Sequence, residues 1–93
     1  MANNAEKHSI ILTEYEYELL TKNSLISRAC SSLLKPAAKH SEGIELSLTL
    51  MGLEELTGYV AAESNHAKSK RQSEDLGSVC DYLESLIVHI RRL

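Results

Sequence analysis

The chain has no Trp and no Phe, one Pro, four Gly and two Cys in 93 residues. Each scarcity excludes something. Without Trp or Phe the core must be assembled from Leu, Ile, Val and Ala, with Tyr15, Tyr17, Tyr59 and Tyr82 as the only aromatic rings. So few turn residues cannot serve a sandwich or barrel of many short strands. Two distant cysteines, Cys30 and Cys80, do not make the disulfide framework of a small secreted domain. Each lies within a helical pattern and reads as a small buried thiol of a reducing cytoplasm. No run of residues approaches the ~20 of a membrane span. The polar stretch Met1–Ser9 followed by Ile10-Ile11-Leu12 does not read as a signal peptide. Basic charge is also short: 10 Lys and Arg against 13 acidic residues give a net charge of -3. Sequence-independent nucleic-acid binding rests on an excess of basic residues and is disfavoured.

Abundant Leu at helical spacing is what remains. Leu76, Val79, Cys80, Leu83, Leu86, Ile87 and Ile90 recur at intervals of three and four, on one face of a helix. Asp81, Glu84, Ser85, His89 and Arg92 occupy the opposite face. Arg91 and Arg92 end the helix where its dipole favours cations. Ser73, followed by Glu74 and Asp75, reads as its N-cap.

Upstream, residues 1–8 read as a disordered N-terminus and 9–93 as one domain. Ser9–Leu12 is β-prone. Thr13 and Glu16 form a capping box, with Leu12 and Tyr17 at the spacing of a hydrophobic staple. A helix should run from Glu14 to about Leu34, weakened at Thr21–Ser24 and stopped by Pro36. Residues 36–43 read as a loop. Ile44–Leu50 alternates apolar and polar residues, the period of a half-buried strand. Its mate is residues 9–13 or the same segment of a second chain; otherwise it is an extended loop. A second helix starts near Thr49–Leu53 and reaches about Asn65, with Gly58 inside it. His66–Gln72 reads as a polar connector.

The fold class is therefore mainly α: a small three-helix domain with one or two short strands, completed by dimerisation. The dimer is expected because the long apolar stripe of the last helix needs more cover than so short a chain supplies.

Chemistry-bearing groups are sparse. Glu63 and His66 share a helix face at i, i+3, the spacing used in carboxylate-bridged metal bundles. A lone pair gives too few ligands, so neither a metal nor another cofactor is expected. His8, His40 and His89 add no ligand spacing. Lys68, Lys70 and Arg71 form a basic group that could touch phosphate or nucleic acid, or could simply be solvated. Gly-x-Ser-x-Gly and Gly-rich phosphate loops are absent from the sequence. These observations point to a small non-enzymatic interaction or regulatory protein, a cytoplasmic accessory factor of bacterial or phage type and a homo-oligomer. Its expected interaction face is Leu76, Val79, Leu83, Leu86, Ile87 and Ile90. The alternatives are a nucleic-acid-associated regulator using residues 68–71 and a metal-dependent enzyme built on Glu63 and His66.

Overall fold

The computed structural model describes residues 6–93. Residues 1–5 of the expected N-terminal tail lie outside them; Lys7 and His8 already belong to the first strand. In chain order the elements are β1 (Lys7–Leu12), α1 (Glu14–Lys22), α2 (Ser24–Ala29), α3 (Ser31–Leu34), β2 (Ala38–His40), β3 (Gly43–Thr49), α4 (Leu50–His66) and α5 (Lys70–Arg91). The fold is mainly α, with a small antiparallel sheet in the order β1-β3-β2.

The sheet forms because two alternating segments match in register. β1 pairs antiparallel with β3 from Lys7↔Thr49 to Leu12↔Ile44. Ile10 and Leu12 on β1 and Leu46 and Leu48 on β3 are all buried, so one face of the sheet is apolar and packed. The other face carries Ser9 and Glu45, whose side chains hydrogen-bond at 2.5 Å. The mate of the alternating segment is therefore residues 7–12 of the same chain. β2 was expected as loop; it pairs with β3 through Ala38↔Glu45 and His40↔Gly43. Ser41 and Glu42 make the turn, with the Glu42 N–H donating to His40 Nδ1 at 3.1 Å. Gly43 is indispensable there. Its φ is +148°, and an added Cβ would lie 2.1 Å from the Leu12 carbonyl oxygen.

The capping box at Thr13 is formed in full. Thr13 Oγ1 accepts from the Glu16 N–H at 3.0 Å, and Glu16 Oε1 accepts from the Thr13 N–H at 2.8 Å. The long first helix breaks into three pieces. Asn23 ends α1 in extended conformation and caps α2, its Oδ1 accepting from the Ile26 N–H at 2.9 Å. A second break falls at Cys30, where no side chain caps α3. Both breaks turn the chain so that Leu20, Ile26, Cys30 and Leu34 all reach the core.

α4 is capped by Thr49, which accepts from the Gly52 N–H at 3.1 Å. α4 and α5 then form an antiparallel hairpin, the most extensive packing between any two elements. Its corner is tighter than expected. Helix α5 starts at Lys70 rather than Ser73, because Ser69 is the N-cap and accepts from the Gln72 N–H at 3.1 Å. Ser73 does other work: its hydroxyl donates to the Ser64 carbonyl at 2.8 Å, while the Ser64 hydroxyl donates to the Ser73 carbonyl at 2.9 Å. This reciprocal clasp locks the two helices where they meet.

The apolar stripe of α5 is buried within the chain. Leu76, Val79, Cys80, Leu83 and Ile87 join α4 residues Leu53, Leu56 and Val60 and the sheet in one core, with Leu86 and Ile90 half-buried at its margin. Two tyrosines also moor α5. The Tyr82 hydroxyl donates to the Ile11 carbonyl at 2.7 Å, and the Tyr15 hydroxyl donates to Asp75. The premise for completing this core with a second chain thus fails: the stripe is already buried within the chain, chiefly against α4.

Candidate interaction surface

Four of the six side chains expected to meet a partner, Leu76, Val79, Leu83 and Ile87, are buried and cannot do so without unfolding. Leu86 and Ile90 keep part of their surface. Any contact surface on α5 must lie on the opposite side of the helix.

Glu63 and His66 both project from the end of α4, but separate partners engage them. Glu63 Oε1 accepts from Asn23 Nδ2 at 2.9 Å, a tie between α4 and the α1–α2 break. A half-buried carboxylate on an otherwise apolar stripe needs such a donor. His66 Nδ1 lies 3.2 Å from the Ala62 carbonyl of its own helix. Among the described residues no group of three or more His, Cys, Asp and Glu side chains is placed to hold a metal ion.

The basic group is redistributed by the early start of α5. Only Lys68 lies in the connector, while Lys70 and Arg71 stand in the first turn of the helix. Lys70 Nζ is 3.9 Å from Glu74 and Arg71 Nε is 3.9 Å from Asp75, each an i, i+4 pair. Both cations are strongly exposed, so these pairs are weak. Glu74 and Asp75 offset two of the three positive charges of Lys68, Lys70 and Arg71 and so weaken the attraction this corner offers to a phosphate.

Asp75 accepts from Tyr15 as well as facing Arg71. The Asp75 hydrogen bond holds the Tyr15 phenol proton and raises its pKa above 10.0. The clefts alongside have volumes of about 190 Å³ and 230 Å³. Pockets for small molecules more often hold ~300–1,000 Å³. Tyr15, Asp75 and Arg71 form a tie between α1 and α5, with each polar group already engaged.

The thiols are similarly occupied. Burial raises Cys30, with the Glu55 charge adding to it. Burial, then the hydrogen bond to Glu84, then the charges of Glu84 and Asp81 push Cys80 from 9.0 up to about 12. A thiol held in its protonated form is a poor nucleophile. Among the described residues no hydrogen bond joins a serine or cysteine to a histidine side chain.

The large apolar side chains left exposed are Tyr15 on α1, Leu25 on α2, Met51 on α4, Val88 on α5 and Leu93. Met51 is 67% exposed, Val88 47% and Leu93 86%. Arg91 pairs with Glu54, which sets the end of α5 beside the start of α4. Val88 sits in a stripe of exposed residues on α5, Asp81, Glu84, Ser85, Val88 and Arg91, which the C-cap Arg92 continues. The sequence had marked several of these as the polar face. Val88 and Met51 escaped notice because a single apolar residue among charges has no periodicity. Their signal is positional, since Val88 lies four residues after Glu84 and four before Arg92. No protein-family model, curated protein or solved structure matches this chain.

Proposed function

We propose that this chain is a small, non-enzymatic interaction or regulatory protein of the cytoplasm, which acts through the outward surface of α4 and α5 and self-associates. One observation carries the reading. Met51 near the start of α4 and Val88 near the end of α5 are exposed, and the Glu54–Arg91 pair sets those two helix ends side by side. Exposed apolar groups that cluster on a rigid surface, rather than scatter, mark interaction sites. The hairpin beneath them is held by an apolar core, the serine clasp and the Glu54–Arg91 pair, so the surface is preorganised for binding. Supporting the cytoplasmic assignment, both cysteines are free and no helix among the described residues is long and apolar enough to cross a membrane.

The test is a photo-reactive amino acid placed at Met51 or Val88 in the native host, with one at the exposed Lys39 of β2 as the control. The reading predicts a discrete cross-linked species from positions 51 and 88 but not from 39. Absence of any cross-link from 51 and 88 would overturn it.

A further inference from the structure

β2 differs from the rest of the sheet in what holds it. Residues 38–42, the strand and its turn, are all exposed, so none of their side chains enters the core. β1 pairs with β3 along its whole length and buries Ile10 and Leu12. β2 pairs only through Ala38↔Glu45, Lys39↔Ile44 and His40↔Gly43, and buries no side chain. The bond from the Glu42 N–H to His40 Nδ1 lies within the segment and moves with it. The ion pair of Lys39 with Glu14 on α1 spans 3.9 Å between strongly exposed groups and contributes little.

Both ends of this segment are fixed. On one side Ala37 packs against the core, and its N–H donates to the Leu34 carbonyl at 3.3 Å. The same carbonyl accepts from the Tyr17 hydroxyl at 2.9 Å. On the other side Ile44 pairs with Leu12 of β1. A short stretch with no core contact, held between two fixed points, has the makings of a unit that opens by itself.

We infer that residues 38–42 are a strap that opens from β3 and closes on it while the core stays folded, hinged at Ala37 and Gly43. Opening breaks the β2 ladder and leaves the backbone edge of β3 at Ile44 and Glu45 unpaired. β1 stays on the opposite edge, so β3 keeps its place. The strap thereby controls whether the sheet presents a free edge. It lies on the sheet and is independent of the contact surface proposed for α4 and α5.

The expected populations follow from the ladder. A net backbone hydrogen bond favours the paired state about fivefold. The few bonds that β2 can make with β3 therefore hold the strap closed by roughly a hundredfold. Opening of the whole domain is disfavoured on the order of 10⁴-fold or more.

Native-state hydrogen exchange of the full chain, repeated at rising urea below the unfolding transition, tests the inference. The amides that bridge β2 and β3 should be protected about a hundredfold, with rates that do not respond to urea. The amides that bridge β1 and β3 should be protected far more, with rates that rise steeply with urea as global unfolding takes over. In the double variant Ala38→Cys with Glu45→Cys, oxidation should tie the strap shut and raise protection at the β2–β3 amides at least tenfold over the reduced form. Three results overturn the strap. The first is a single rate and urea dependence shared by both sets of amides. The second is β2–β3 amides no better protected than in an unfolded peptide, since β2 would then have no closed state. The third is protection that does not change once the cysteine pair is oxidised.

Discussion

Adding one methyl group at Gly43 and at Gly58 should have opposite effects, and the pair makes a stringent test of the fold. At Gly43 the methyl of Gly43→Ala would sit 2.1 Å from the carbonyl oxygen of Leu12, with φ at +148°. The conformational penalty for a residue with a Cβ is about 1–2 kcal/mol. The carbonyl is backbone and cannot rotate aside, so the Leu12↔Ile44 end of the β1–β3 ladder must part. Losing one or two hydrogen bonds there costs about 1 kcal/mol each. The sum is roughly 3 kcal/mol, a large share of the ~5–14 kcal/mol available to a domain of this length. At Gly58 the added Cβ meets nothing within 4 Å. Gly58→Ala should therefore stabilise by about 1 kcal/mol through helix propensity alone. Urea unfolding followed by circular dichroism reads both. A Gly43→Ala variant within 1 kcal/mol of the parent would show that β2 and β3 do not turn as described. Destabilisation by Gly58→Ala would show that the outer side of α4 is covered.

Asn23→Ala removes the cap of α2 and the donor to Glu63 together, and should cost about 1–2 kcal/mol in thermal or chemical unfolding. Asn23→Ser keeps a capping oxygen and should recover about half of that loss; equal losses would mean the Glu63 contact carries the whole effect. Leu83→Asp places a carboxylate at a fully buried position and should abolish the folded helical signal, since an unpaired buried charge costs several kcal/mol; a native far-ultraviolet spectrum would refute the burial of that face. Cys30 and Cys80 should label with a disulfide reagent only as fast as the protein opens, and a fast native phase would place one of them at the surface. Because burial raises both thiols, with Cys80 at about 12, and raises Tyr82 as well, the folded state holds these protons more tightly than the unfolded one. Their stabilising contribution is complete below pH ~9 and is lost as the pH rises towards 12, so the urea midpoint should fall across that interval; a midpoint that rises would contradict it.

Features encoded by neighbouring residues were legible in the sequence. The Thr13–Glu16 box and the alternating Ile44–Leu50 segment are local patterns, and both formed. Those that depend on distant partners were not. β2 has three exposed residues and no alternation; only pairing with β3 makes it a strand. The break at Cys30 has no capping side chain to announce it. Ser73 resembled a cap because Glu74 and Asp75 follow it, but the close approach of Ser64 draws its hydroxyl away. The stripe on α5 was plain, yet its cover was misjudged. α4 is apolar around much of its circumference, so its periodicity understated how much core it brings. The proposed contact surface was hidden for the related reason that Val88 stands out only once the apolar stripe on the other side of α5 is known to be buried.

The most direct test of the account is a concentration series of backbone amide resonances, recorded from micromolar to millimolar protein. Shifts should be confined to the outward face of α4 and α5, Met51 and Val88 among them, while the amides of Leu76, Val79 and Leu83 stay fixed. A spectrum independent of concentration, or shifts centred on the buried stripe, would contradict the division of α5 into an inner face that holds the fold and an outer face that binds.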